Sequence, residues 1–229
     1  MSRSSPHSVR TFSHAQARAF YDRFGRRQDW QAFYEDRAVA SLLRHAALDS
    51  ARSVVELGCG TGRLAARMLR DALPPDGRYL GVDVSSTMVE LARQRLTPWQ
   101  ERAEVRLSSG EPRIALPDGS CDRFVSAYVL DLLSDTDIEA VLGEARRLLA
   151  PGGRLGLVSL TTGNDRLSRA LCTAWSAVHR WRPALVGGCR PVVLRDRLSA
   201  GGWHMLHHEI VAAFGLRSEV LVAEPRPRG

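Results

Sequence analysis

The sequence predicts an α/β fold: a doubly wound, mostly parallel sheet of seven strands, with an antiparallel C-terminal hairpin and an N-terminal helical lid. Three observations lead there. Short β-like runs alternate with helical ones from Ser53 onward. The first of them, VVELGCGTG (residues 54–62), stops in three glycines spaced two apart just before a helical pattern. The tail carries two β-like segments joined by a short connection that contains glycine.

Residues 1–12 lack periodicity and read as a loose arm. Ser13 with Gln16 forms a capping-box signature, which predicts a helix to Phe24 with Gly25 as its stop. A second helix is expected from Asp29 through WQAFYEDRAVASLLRHAA. These two front helices carry Phe12, Phe20, Tyr21, Phe24, Trp30, Phe33 and Tyr34, which suits either a lid over a site or a plain packed pair. SVVEL is then a strand, GRLAARMLRDAL a helix, RYLGVDV a strand and SSTMVELARQRL a helix. AEVRLSS and CDRFVSAYVL read as strands separated by the turn-rich EPRIALPDGS. DIEAVLGEARRLLA places Ile138, Val141, Leu142, Ala145, Leu148 and Leu149 at helical spacing, and PGG is expected to end that helix before the strand RLGLVSL. WHMLHHEIVAA and LRSEVLVAEP complete the set as an antiparallel edge hairpin. The 229 residues are expected to form one domain: a lid or arm over 1–50, a core over 51–160, an insertion over 161–203 and the hairpin over 204–229.

Composition excludes several classes of function. No apolar run approaches the roughly 20 residues that span a bilayer, and the start MSRSSPHSVR lacks the apolar segment of a secretory signal, so a cytoplasmic protein without a transmembrane segment is expected. Cys59, Cys121, Cys172 and Cys189 are far apart and form no metal-ligand spacing, so no metal is expected. The net charge of +7 would ordinarily suggest an acidic partner, but every basic residue is arginine and none is lysine, spread along the chain without a clustered tract. No nucleic-acid partner is expected. A homodimer is compatible with the sequence.

The glycine turn narrows the ligand. A P-loop requires a GK[ST] ending, which a chain without lysine cannot supply. A dinucleotide fingerprint needs a third glycine where this chain has Arg63. What remains is GxGxG between strand and helix, with Glu56 just upstream and Asp83 at the end of the next strand, the interval at which an acid caps a ribose. An ionised Glu56 would repel pyrophosphate and favour a cation. A ligand with a ribose, positive charge and no phosphate fits, and S-adenosylmethionine has that description. The plain alternative is an ordinary strand-to-helix turn.

Four motifs stand in order between Ser53 and Leu160: VVELGCGTG, LGVDVSSTMVELA, SAYVLDLL and RRLLAPGGRL. In them the chain resembles the class I S-adenosylmethionine-dependent methyltransferases, of the small-molecule branch that includes ubiquinone/menaquinone and phospholipid N-methyltransferases. The resemblance implies a Rossmann-like fold and S-adenosyl-L-methionine as cofactor, with S-adenosyl-L-homocysteine as product. It places Glu56, Gly58, Cys59, Gly60 and Gly62 beside the methionine tail, Asp83 on the ribose hydroxyls, and Val84 and Met88 flanking the adenine. Gly110 and Glu111 stand near the place of a Gly-Asp pair that meets the adenine amine, with a spacer to Leu116 and Pro117 one residue longer than usual; a solvated turn is the alternative. Ser126, Ala127 and Tyr128 fall beside the sulfonium, and Tyr21 over the methionine tail or in the core.

Methyl transfer needs alignment above all, and a base is optional. Candidate acceptors of a proton are Asp131, which replaces a histidine of many relatives, with His14, Tyr128 and His179. Each has a bland surface or core role as its alternative. Specificity is expected in the front helices and in the insertion, where Trp175, His179 and Trp181 suit a small lipophilic or aromatic acceptor. Arg190 could pair with an acidic group on it, or form a salt bridge within its loop. The function implied is methyl transfer to oxygen, nitrogen or carbon of a small molecule. The alternatives are a domain that keeps the cofactor without methylating, and a methyltransferase acting on RNA or protein.

Overall fold

The computed structural model describes Ala19, Asp22, residues 32–161 and residues 190–226. Ala19 and Asp22 are helical. His14, Tyr21, His179 and most of the expected insertion lie outside the described residues.

Helix α1 (Ala32–His45) leads through a short 3-10 turn (Leu48–Ser50) into β1 (Ser53–Leu57), α2 (Arg63–Asp71), β2 (Arg78–Asp83), α3 (Ser86–Leu96) and β3 (Ala103–Leu107). After a long loop come β4 (Cys121–Ala127), a 3-10 turn (Leu130–Leu132), α4 (Asp135–Leu148) and β5 (Leu149–Leu160). Helix α5 (Leu194–Ala200), β6 (Trp203–Ala213) and β7 (Leu216–Pro225) finish the described fold. The seven strands are ordered β3-β2-β1-β4-β5-β7-β6, parallel from β3 to β5 and antiparallel for the last two. The chain winds outward from β1 in one direction and from β4 in the other. A crevice therefore opens where their carboxyl ends part, which is where doubly wound sheets hold ligands.

Alternation along the central strands builds a core on each face. Val54, Val125 and Val220 pack under α1, α2 and α3 against Leu42, Met68 and Ala92. Their neighbours Val55, Phe124 and Leu221 point the other way, against Ile138, Leu142 and Leu148 of α4 and Leu194 and Leu198 of α5. Burying a side chain such as Phe124, which is 1 % exposed, contributes about 1.5–3 kcal/mol. The periodicity of 2 in the strands and 3.6 in the helices thus points each apolar residue at a layer that exists.

Helix ends follow local chemistry. Ser85 caps α3 by accepting from the Met88 amide at 3.2 Å, and Ser134 caps α4 by accepting from Asp137 at 3.1 Å. Beyond α1, Ala47 takes a left-handed φ of 48°, and the buried Arg123 of β4 donates to the Ala46 and Ala47 carbonyls at 2.7 and 2.5 Å and to Ser50 Oγ at 2.9 Å. One guanidinium thereby satisfies the chain between α1 and β1.

Two boundaries differ from expectation. Strand β4 stops at Ala127 and does not continue to Leu130, because Tyr128 adopts a left-handed φ of 57° and turns the chain. Helix α4 ends at Leu148, and β5 begins at once. The PGG segment is a bulge within β5: its register jumps from Leu149 opposite Cys121 to Arg154 opposite Arg123. Pro151 cannot donate to the ladder and Gly152 has a φ of 75°, so the extra residues loop out.

Candidate functional site

Two clefts meet at the crevice between β1 and β4. The larger, about 860 Å³, is lined by Asp83, Val84, Met88, Gly110 and Glu111 and floored by apolar side chains including Leu132 and Val141. The smaller, about 540 Å³, is lined by Glu56, Cys59, Gly60 and Thr61 with Glu35, Arg63 and Arg67. Gly58, Ala127 and Tyr128 border both, so a ligand threaded through the two passes these three residues.

The glycine turn is not an anion cradle. Gly58 and Cys59 amides both donate to the Val82 carbonyl, at 2.8 and 3.2 Å, and Gly62 donates to Cys59 at 2.9 Å. The Gly60 amide donates to Asp83 Oδ2 at 2.9 Å. These four N–H groups are consumed inside the protein, whereas phosphate loops aim theirs at the ligand. What the turn does supply is closeness. A Cβ on Gly58, where φ is 72°, would stand 2.3 Å from Val129 Cγ2, so the turn packs against Val129 only with glycine at this border of the two clefts.

Charge at the site is acidic and desolvated. Glu56 is 2 % exposed, and its Oε2 accepts from the Tyr79 hydroxyl at 2.6 Å. Burial pushes its carboxyl up to about 8; the Tyr79 bond opposes this and the nearby Asp83 reinforces it. Glu35, on α1, is likewise pushed up by burial to about 7, against the attraction of Arg63. Asp83 is 9 % exposed, with Oδ1 accepting from Ser85 N at 2.9 Å and Oδ2 from Gly60 N. Burial raises its carboxyl above the ordinary range, and the backbone bonds hold it down. Each oxygen keeps a further lone pair, so Asp83 can bind a diol while it braces the turn. A cation entering the smaller cleft would restore the ionised form of Glu56.

Around this frame the expected residues divide. Glu56, Gly58, Gly60, Asp83, Val84, Met88, Gly110, Glu111, Ala127 and Tyr128 line the two clefts. Cys59 also borders the smaller one, but its side chain packs into the core beside Gly81, and burial raises its thiol well above the ordinary value. Gly62 borders neither cleft: with a φ of 75° it caps α2 and packs on Ala92. Ser126 also turns away, its Oγ donating to the Leu57 carbonyl at 3.0 Å, which ties β4 to β1. The side chain of Tyr128 crosses that of Tyr34 edge-on, with centroids 5.8 Å apart, and its hydroxyl pairs with Ser218 Oγ at 2.8 Å.

Two expected roles find no support in position. Asp131 is fully buried in the turn after β4, with Oδ2 3.4 Å from the Leu160 amide, and it lines neither cleft. Arg190 is fastened to the start of α4, donating to the Leu133 carbonyl at 2.9 Å and to Asp135 Oδ1 at 2.7 Å, so its guanidinium is engaged inside the fold. Conversely, Glu35, Arg63 and Arg67 line the smaller cleft without having been singled out for it. Arg63 pairs with Glu35 at 3.3 Å and with Asp36 at 2.8 Å, and Arg67 with Asp36 at 3.1 Å, fastening α1 onto α2 beside the cleft. The available signal was Arg63 itself, which stands directly after the third glycine.

Comparison with known proteins bears on the fold and the domain family. Residues 54–153 match the model of a methyltransferase domain family. Over 144 residues the chain is 32 % identical to trans-aconitate 2-methyltransferase of an Azoarcus species, covering 62 % of this chain and 53 % of that one. Over 105 residues it is 31 % identical to demethylmenaquinone methyltransferase of Symbiobacterium thermophilum, covering 44 % and 39 %. The chain thus spans about half or less of the length of these relatives. The solved structure of the 4+2 cyclase SpnF superimposes with a TM-score of 0.73 at 18 % identity, covering 96 % of this chain and 99 % of that one, a likeness of fold. By its sheet, its glycine turn and the match over residues 54–153, the chain is similar to the class I S-adenosylmethionine-dependent methyltransferases.

Proposed function

We propose that this chain binds S-adenosylmethionine across the two clefts and transfers its methyl group to a small acceptor. One observation carries the reading: two clefts joined at Gly58, Ala127 and Tyr128, one with an acid placed for a ribose and the other with a buried acid placed for a cation. Adenosine belongs in the larger cleft, with Asp83 on the ribose hydroxyls, Val84 and Met88 against the base and Glu111 at its amine. The amino-acid tail belongs in the smaller one, its ammonium toward Glu56 and its carboxylate toward Arg63, which would exchange part of its pairing with Glu35.

When bound, the cofactor supplies an electrophilic methyl on a sulfonium that leaves as a neutral thioether. The chain's task is then to hold and align. Gly58 lets the ligand pass closely, Asp83 fixes the ribose and Tyr128 bounds the junction of the clefts, so that the methyl is presented in one direction. Beside Tyr128, the larger cleft is lined by Val129, Leu132 and Leu133, which supports a lipophilic or aromatic acceptor. Among the described residues, Tyr128, with its hydroxyl shared with Ser218, is the candidate proton acceptor that borders both clefts. The arginines support a small acceptor over nucleic acid: Arg63, Arg67, Arg123, Arg147, Arg190 and Arg197 all donate to groups within the fold. Among the described residues no helix is long and apolar enough to cross a membrane.

The test is transfer of isotope-labelled methyl from S-adenosylmethionine into a panel of small phenols, enols, carboxylates and amines, with RNA and protein fractions in parallel. Label in a small molecule, lost with Asp83→Ala, supports the reading. Label only in the macromolecular fraction would replace the small acceptor, and cofactor binding without transfer to any fraction would favour a non-methylating domain.

A further inference from the structure

The wall that faces the base side of the larger cleft belongs to the loop between β3 and β4, which contributes Ser108, Gly110, Glu111 and Pro112. That loop has no helix or strand of its own over residues 108–120. Its own short-range bonds are few: Gly110 N to Ser108 Oγ at 3.1 Å, Glu111 N to Ser109 Oγ at 3.3 Å and Leu116 N to the Ile114 carbonyl at 2.7 Å. Ordering such a segment costs about 1–2 kcal/mol per residue in backbone entropy, so something outside must hold it.

Ser108 N donates to the Asp83 carbonyl at 2.7 Å where the loop leaves β3, and the groups that hold residues 114–119 come from one helix. On α4, Glu144 is 7 % exposed and its Oε1 accepts from the Ile114 amide at 2.7 Å. Arg147 grips the same carboxylate with Nε to Oε2 at 2.8 Å and Nη2 to Oε1 at 2.7 Å. It then reaches the loop, donating to the carbonyls of Leu116 at 2.9 Å and Ile114 at 3.1 Å and to Asp118 Oδ1 at 2.6 Å. The Arg147 carbonyl in turn accepts from Gly119 N at 2.9 Å. Burial alone would raise the Glu144 carboxyl, but the Arg147 bonds and the Ile114 amide outweigh it and hold it below its ordinary value. The pair is an ion pair first and a backbone clamp second, and the clamp closes just after the residues that form the cleft wall.

We infer that Glu144 and Arg147 are positioning residues for base recognition: by fixing Ile114, Leu116 and Asp118 they set where Glu111 stands, and so set the preference for adenine over a 6-oxopurine. The inference rests on the cofactor reading above. Neither residue touches the cleft, so their effect reaches the ligand only through the loop. Glu111 can accept from an exocyclic amine, whereas the oxygen of a 6-oxopurine would face it as a second acceptor. A loop free to drift loses that distinction while Asp83, on β2, continues to hold the ribose.

Arg146 provides the control. It is the neighbouring residue on the same helix and donates to the Gly201 and Gly202 carbonyls at 2.7 and 2.6 Å, with its guanidinium 4.9 Å from the centre of the Trp203 ring. Arg146→Met removes a comparable anchor without touching the loop.

The experiment measures binding of S-adenosylhomocysteine and S-inosylhomocysteine to the full chain by calorimetry, with thermal melts alongside. Wild type should prefer the adenine ligand by roughly 10- to 150-fold, what a hydrogen bond to a charged group commands. Glu144→Ala and Arg147→Met should collapse that preference toward unity while still binding both ligands. Arg147→Lys keeps a charge opposite Glu144 but cannot span both loop carbonyls, so it should lie between; it decides the matter if the other variants do not fold. Arg146→Met should melt earlier with the preference intact. A preserved preference in folded Glu144→Ala or Arg147→Lys overturns the inference, as does a wild-type chain that binds both ligands equally. A wild-type chain that binds neither removes the cofactor reading itself, a separate failure.

Discussion

Through Glu56 alone, raising the pH from 5 to 7.5 should remove about 3 kcal/mol of stability from the ligand-free chain, an order-of-magnitude figure that follows from its protonation. In the unfolded chain this carboxyl loses its proton near its ordinary 4.5; in the folded chain, burial pushes it up to about 8. Between these values the native state holds a proton that the unfolded state has released, so each pH unit costs the fold up to about 1.4 kcal/mol. The stabilisation is complete below 4.5 and is lost as the pH rises through 8. Glu56→Gln keeps the acceptor for the Tyr79 hydroxyl and removes the titration. Urea denaturation of both proteins from pH 5 to 7.5 gives the difference directly, since Glu35 and other groups titrate alike in each. The wild-type curve should fall more steeply, and the two should diverge by that amount. Near pH 7 an ammonium arriving beside Glu56 should also expel roughly nine-tenths of a proton, visible as a buffer-dependent heat of S-adenosylhomocysteine binding that Glu56→Gln loses. Parallel stability curves would refute the claim that Glu56 is buried and protonated.

Two further substitutions separate the turn's jobs from the fold's. Gly62→Ala puts a Cβ 3.1 Å from the Ala92 Cα at a φ of 75°, which should cost about 2–3 kcal/mol in denaturation while leaving ligand affinity nearly unchanged; Gly58→Ala, which drives a Cβ into Val129 where the two clefts meet, should lower ligand affinity as well as stability. Arg123→Met strips the Ala46 and Ala47 carbonyls of their donor and should destabilise by about 2–4 kcal/mol in the same assay, without altering the ratio of affinities for different ligands.

Periodicity made most of the fold legible. Val54 and Val55, or Phe124 and Val125, point to opposite cores because the strand period is 2, and that pattern can be read without a structure. The place of Asp83 at the cleft was legible as well, since it ends a strand that has to lie beside the one that carries Glu56. What escaped depends on direction more than on identity. Ser126 and Gly62 stand in the right segments, yet one turns toward the Leu57 carbonyl and the other toward Ala92, and no spacing rule tells a side chain at a strand end which way it will face. The place of Asp131 after the fourth strand suggests a role at the cleft, but the left-handed Tyr128 redirects the chain and buries it. In sequence Arg63 only spoils a dinucleotide fingerprint; its position at the smaller cleft depends on α1 bringing Glu35 and Asp36 against it, a contact between segments 27 and 28 residues apart.

The central claim is tested most directly by isothermal titration of the full chain with S-adenosylmethionine, S-adenosylhomocysteine and NAD, for wild type and Asp83→Ala. The account predicts saturable binding of the first two ligands and none of NAD, with Asp83→Ala weakening the first two by about 1.5–3 kcal/mol, the cost of a lost hydrogen bond to a charged group. Folded wild-type protein that binds neither sulfur ligand, or that binds NAD in their place, would contradict it.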